Sequence, residues 1–303
     1  MSRKPPAKRS VDTRRAIPLQ WILVVVALAL VGTVFAAVKH HENALANAAA
    51  KSDTSHASGP AASTSGTAVS NEVMHDLTAI PSETWRNAGT EGARVPVFVG
   101  DVGPARPIVL YIGAGFCPYC AAARWSLIAA LSRFGTFSEL TYAASSSIDV
   151  YPRTPTFSFY GAHYASRYIE LQSVEQASDE PGLDGRYVPL EHATPAQEAL
   201  LQRYDVPPYV APQGARGIPF ILIGQRYMWS GSPFSPELLA NRSQAGIAAG
   251  LPGGTDEAAR AILVNGNEFT AAICVVTRNQ PADVCSDPVI QHAIAALPTK
   301  PPS

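Results

Sequence analysis

Apolar and polar positions divide the chain into three unlike stretches. The run from Trp21 to Val38 is almost wholly apolar, and residues 16–38 carry no charge. About 20 helical residues span about 30 Å, the thickness of a bilayer's hydrocarbon core, so this run predicts one N-terminal transmembrane helix over 17–38. Residues 42–70 are the opposite case: rich in Ala, Ser, Thr and Gly, with no Phe, Trp or Tyr. Such a stretch cannot bury enough surface to offset the entropy of ordering it, which predicts a flexible linker over 39–72. Mixed apolar patterning begins near Val73, and the remaining residues, 73–303, are expected to form one domain.

Within that domain Ile108-Val109-Leu110-Tyr111-Ile112 is a continuous apolar run ending in Gly113-Ala114-Gly115, the pattern of a strand buried on both faces. Pro118 to Phe134 is rich in Ala and Leu and is closed by Gly135, which predicts a helix with a glycine stop. Leu140–Ala144 reads as a further strand, and Thr156–Tyr160 and Tyr168–Val174 alternate weakly as strands do. Thr194 followed by Pro195 opens a helix to about Tyr204, with Thr as N-cap and Pro at the first position. Pro219 to Trp229 reads as two strands joined at Gly224-Gln225, with Tyr227, Met228 and Trp229 packing the second. Ser235-Pro236 opens a helical stretch, and another runs from the turn at Pro252-Gly253-Gly254 to roughly Val276. The expected class is α/β: a mixed sheet flanked by helices, with an inserted region and a helical C-terminal part.

Charge settles orientation. The formal net charge is −1, without the basic excess of a nucleic-acid binder, so no nucleic-acid partner is expected. Arg3, Lys4, Lys8, Arg9, Arg14 and Arg15 precede the apolar run, and only Lys39, His40 and His41 follow it closely. The positive-inside rule makes residues 1–16 a cytoplasmic basic tail and places the domain outside. Ala36 and Ala37 leave a cleaved signal peptide as the competing reading. The length of the run favours an uncleaved, single-pass anchor in the cell membrane, and the domain is extracytoplasmic on either reading.

The four cysteines form two pairs, Cys117/Cys120 and Cys274/Cys285, a usage that suits an oxidising compartment. Cys117 follows a strand and precedes a helix, with Pro118 at the first helical position. Its sulfur then sits at a helix N-terminus, where unpaired N–H groups and the helix dipole stabilise a thiolate. The thiolate is the nucleophile of disulfide exchange, and a low thiol pKa also makes a better leaving group. Cys120, one turn on, can reach back to resolve a mixed disulfide. A zinc site competes with this reading, but a structural site wants four ligands. The second pair has ten residues between its members, His40, His41 and His56 fall in the linker, and His75, His163, His192 and His292 are scattered. No metal and no cofactor are expected: the chain has no phosphate-binding glycine loop, Gly-x-Ser-x-Gly elbow or His-Glu-x-x-His. An inert structural disulfide stands as the other alternative. Asn241-Arg242-Ser243 fits a glycosylation sequon.

The strand, Phe116-Cys117-Pro118-Tyr119-Cys120 and helix together resemble the thioredoxin superfamily. Gly217-Ile218-Pro219-Phe220 resembles that superfamily's cis-proline loop, which faces the cysteine pair and precedes a β-hairpin. More narrowly, Phe-Cys-Pro-Tyr-Cys-Ala-Ala-Ala-Arg-Trp from Phe116, Ser-Arg-Phe-Gly from Ser132, Thr-Pro-Thr-Phe-Ser-Phe-Tyr from Thr154 and the late Ala-Ile-Cys…Val-Cys segment resemble the DUF929 family. Its members are predicted thioredoxin-like proteins of archaea and actinobacteria, often membrane-anchored, and the resemblance runs from about residue 75 to the end.

The resemblance implies a thioredoxin-like fold in which Cys117 attacks and Cys120 resolves. Pro118 and Tyr119 would tune the redox balance. Pro219 would be cis, and Ile218 would offer its backbone to an extended substrate strand. Phe116, Tyr119 and Trp125 would rim the site for unfolded substrates, or pack in the core, the reading preferred for Trp125. Arg124, one turn past Cys120, either supports a thiolate or is solvated. Cys274 and Cys285 would form a structural disulfide stabilising the fold by about 3 kcal/mol, or else shuttle oxidising equivalents to the first pair. There is one departure: thioredoxins carry a buried acid six residues before the first cysteine, where this chain has Tyr111. No proton acceptor for Cys120 is evident, and the direction of electron flow is left open. The expected activity is a membrane-anchored extracytoplasmic thiol–disulfide oxidoreductase acting on exported protein thiols or disulfides, with a membrane redox partner to recycle it. The alternative is a non-catalytic binding or scaffold module on the same fold.

Overall fold

The structure, a computed structural model, describes residues 66–302 except 101, 102, 104 and 105. The expected cytoplasmic tail, transmembrane helix and most of the linker lie outside the described residues. At the start of the described chain the Gly66 N–H donates to the Tyr142 carbonyl, and Ala68 bridges to Thr141.

Two short helices come first: α1 (Asn71–Thr78), whose Val73 N–H is capped by the Ser70 hydroxyl, and α2 (Ser82–Ala88). A two-residue strand, β1 (Val97–Phe98), precedes β2 (Ile108–Gly113), which feeds α3 (Pro118–Leu131). The inserted region holds β3 (Thr136–Ser138), β4 (Thr141–Ala144), β5 (Pro155–Ser158) and β6 (His163–Ala165). It continues through β7 (Glu170–Glu175), β8 (Ala177–Pro181) and β9 (Tyr187–Pro189). Helix α4 (Pro195–Tyr204) carries a complete capping box between Thr194 and Gln197, and leads to β10 (Phe220–Ile223) and β11 (Tyr227–Ser230). The C-terminal part is helical: α5 (Gln244–Gly250), α6 (Glu257–Val276), α7 (Ala282–Cys285) and α8 (Pro288–Ala296).

The main sheet is mixed and five-stranded, in the order β1-β11-β10-β2-β7. β2 is an inner strand, antiparallel to the central β10 and parallel to the edge strand β7. Alternate residues of the inner strands supply two cores. Val109, Tyr111, Ile221, Ile223, Tyr227 and Trp229 face the larger core with α3 and α6. Leu110, Ile112, Phe220, Leu222 and Met228 face the smaller one with Tyr204 of α4. Burial on both faces is why β2 reads as an unbroken apolar run rather than an alternating one.

The three-residue connection between β10 and β11 turns at Gly224 and Gln225, both in the left-handed region with φ of 60° and 56°, and the Arg226 N–H closes the turn on the Ile223 carbonyl at 3.0 Å. Two details differ from the sequence reading. The segments at 140–144 and 156–160 are strands, but they pair with each other apart from the main sheet, and β7 alone of the inserted region joins it. Ser235-Pro236 opens only a 3-10 turn, Pro236–Leu239; a new cap at Ser243 then starts α5. Among the described residues α6 is long and apolar enough to cross a membrane, and it is packed inside the domain. A disulfide between Cys274 and Cys285 ties the end of α6 to α7.

Candidate active site

The cysteine pair sits where β2 ends. Gly113 is forced by proximity: a Cβ there would lie 2.2 Å from the Tyr111 Oη and 3.0 Å from the Cys120 Sγ. Cys117 is the N-cap of α3, extended at φ −80° and ψ 119°, with Pro118 in the first helical position. Its sulfur accepts the Cys120 N–H at 3.3 Å, so one of the helix's unpaired donors points at it. Both cysteines are free thiols and both are buried, Cys120 completely.

The two thiols are held unalike. A hydrogen bond from the Cys120 thiol pulls the Cys117 thiol below its ordinary value; burial opposes this, while the Cys120 N–H and the Arg124 charge assist. Burial pushes the Cys120 thiol well up, and its hydrogen bond to Cys117 adds to the rise. The arrangement therefore favours one thiolate, on Cys117, with Cys120 as the proton-bearing neighbour.

Opposite the pair, Ile218-Pro219 is a cis peptide, and the Ile218 carbonyl lies 3.9 Å from the Cys117 Sγ. Asp205, fully buried at the end of α4, lies under this loop: its carbonyl accepts the Arg216 N–H at 3.0 Å. Burial raises the Asp205 carboxyl pKa, against the pull of the nearby Ser230 hydroxyl and the Arg216 and Gly217 N–H groups. A groove of about 740 Å³ runs from Tyr119 and Ile218 past Val97, Met228 and Phe234. Tyr119 is 41% exposed and meets Tyr151 edge to face. Phe116 stacks on Tyr187 of β9 with ring centroids 4.3 Å apart, so that side of the site is walled by the β8–β9 hairpin. Trp125 is in the core, as the sequence reading preferred; its Nε1–H donates to the Pro155 carbonyl.

Arg124 is 1% exposed, which excludes the solvated alternative. Its Nε and Nη2 donate to the two Glu175 oxygens at 2.8 and 2.7 Å, and Nη2 also reaches the Ala114 carbonyl at 2.9 Å. Burial works against the Arg124 charge, but Glu175 and Tyr111 outweigh it and the guanidinium stays protonated. Glu175 is brought here by β7, whose last pair in register is Gly113 with Glu175. Sequence reasoning passed over both Glu175 and Asp205. The available signal for the first was Arg124 itself, the single charged residue of an otherwise apolar α3, which had to be matched once buried. Asp205 offered no such signal.

The family described as a domain of unknown function, DUF929, matches residues 102–275. The chain belongs to the DUF929 family. The DUF929 match spans both site cysteines, Arg124, Glu175, Asp205 and the cis-proline loop. It closes one residue past Cys274, so Cys285 falls beyond it. No curated protein and no solved structure matches the chain.

Proposed function

We propose that this DUF929 protein is a thiol–disulfide oxidoreductase with a thioredoxin-like domain, anchored in the cell membrane by residues 17–38 and acting outside the cytoplasm. The observation that carries the reading is the asymmetry of the pair. Cys117 is an N-cap with a lowered thiol pKa, facing the Ile218 carbonyl of the cis peptide, while Cys120 is buried behind it with a raised one. That is the division of labour exchange needs: one thiol ionised to attack and to leave, one held in reserve to resolve.

On this reading Cys117 attacks and Cys120 resolves. Pro118 sets the helix start, and Tyr119 borders the groove. Ile218 and Pro219 present backbone to an extended segment of an exported protein, and Phe116 supports that wall through Tyr187. A membrane redox partner recycles the pair. The full chain, purified in detergent, is expected to exchange electrons with a protein disulfide such as that of insulin. Cys117→Ser is expected to abolish turnover, and unchanged turnover in that variant excludes the reading.

A further inference from the structure

Behind the pair, two buried donors have nothing to bind. The Tyr111 hydroxyl and the Arg124 Nη1 are both shielded from solvent without a hydrogen-bond partner. Buried polar groups are normally paired, because leaving one unmade is unfavourable. Two in one place, beside a thiol, ask what they are for.

Their placement answers. The Tyr111 Oη and the Cys120 Sγ flank the same space left open by the missing Cβ of Gly113. Arg124 is four residues past Cys120, on the same face of α3, and its guanidinium centre lies 5.6 Å from the Tyr111 ring centroid. Glu175 occupies Nε and Nη2, so the head is fixed while Nη1 is left over. Glu175 is fixed in turn by the Phe159 N–H at 3.4 Å. We infer that Tyr111 and Arg124 form a thiolate hole for Cys120, two donors set in place to hold its negative charge while it attacks. Glu175 is the positioning residue that aims Arg124.

The inference rests on the exchange reading and assigns its second step. Cys117 thiolate first attacks a substrate disulfide RSSR, forming a Cys117–SR bond and releasing RS⁻. The Cys120 thiol then gives its proton to that thiolate. The Cys120 thiolate, charge held by the Tyr111 hydroxyl and Arg124, attacks the Cys117 sulfur; the Cys117–SR bond breaks and a second RS⁻ leaves. Two cysteine thiols are oxidised by two electrons and one disulfide is reduced to two thiols. No acid is needed at position 111: an anion stabiliser stands where a base was sought. The ionisable groups around Cys120 are Cys117 and Arg124 from α3, Tyr111 from β2 and, behind Arg124, Glu175 from β7.

The test uses the full chain in detergent, with Cys117 and Cys120 reduced and the other pair oxidised, mixed with the aromatic disulfide dithiobis-nitrobenzoate. Thionitrobenzoate should appear in two phases, the first reporting Cys117 and the second Cys120; Cys120→Ser retains only the first. In Tyr111→Phe the second phase is expected to slow about tenfold relative to the first, the loss of a hydrogen bond to a charged group, and its pH midpoint to rise. Arg124→Lys, which keeps the charge and lacks Nη1, should shift both readouts the same way. Unchanged ratio and midpoint in both variants overturns the inference. So does acceleration of both phases together, the mark of packing merely loosened. Absence of the first phase in the parent and in Cys120→Ser instead overturns the exchange reading beneath it.

Discussion

On the proposed exchange reading, Arg124 and Cys120 share one helical face and a common problem: each is ionised, permanently or briefly, without water. Arg124 meets it with Glu175, and the cationic charge that results also favours thiolate on both cysteines. For Cys117 the direction is testable. Its thiol lies below the ordinary value, so alkylation by iodoacetamide should persist as pH falls past the midpoint of a free cysteine, about 8.5. Cys120→Ala removes the strongest influence on that shift and should move the midpoint of the alkylation profile upward. At this scale the sequence was a partial guide. Cys117 and Cys120 were legible because their spacing is short, and Pro219 because it stands in a local pattern, Gly217-Ile218-Pro219-Phe220, directly before a hairpin. The Arg124–Glu175 pair was half legible: a lone charge in an apolar helix announces a partner, but which carboxylate supplies it depends on the register between β2 and β7.

Elements inherit that distinction between local and distant causes. The β10–β11 hairpin was readable because Gly224-Gln225 names its own turn, and α4 because Thr194, Pro195 and Gln197 name its start. Ser235-Pro236 carries a similar start signal, yet the chain bends off after one 3-10 turn, with Asn241 at φ 58° before the next cap. Helix α6 makes two energetic predictions. Burial pushes the Glu268 carboxyl up to about 7. In the unfolded chain it titrates near about 4.3, so between these values the folded protein keeps a proton the unfolded one has lost. Stability is full below that range, falls as pH rises through it, and is level above about 7. Urea denaturation of Glu268→Gln should therefore show a gain of roughly 3–4 kcal/mol at about pH 8, relative to the difference near pH 4. Near the C-terminal end of α6, replacing Cys274 and Cys285 by Ala should lower stability by about 3 kcal/mol in the same assay, the contribution of closing a loop of this length.

For the whole molecule, class and core were legible while the order of strands was not. The buried runs of β2 and β10 required a sheet covered on both sides, and it is. Nothing in the two residues of β1 says that they lie along β11, or that β4 and β5 stay out of the main sheet, because such pairings are decided by packing across the fold. The site itself draws on distant pieces: α3 brings the thiols, β7 the carboxylate, and the loop before β10 the cis-proline.

The pairing of β1 with β11 has a temporal consequence. Val97 lies against Met228, and α2 with the loop after it is equally committed to the far end of the chain: the Asn267 amide donates to the Trp85 and Gly89 carbonyls, and the Thr84 hydroxyl to the Pro252 carbonyl. The stretch from α2 to β1 therefore lacks these partners until nearly all of the later part exists, although the residues before it can already rest on β4. Assembly cannot proceed piece by piece from the N-terminus as the chain emerges. It must wait and then close in one concerted step, at the slow pace set by contacts of long sequence separation.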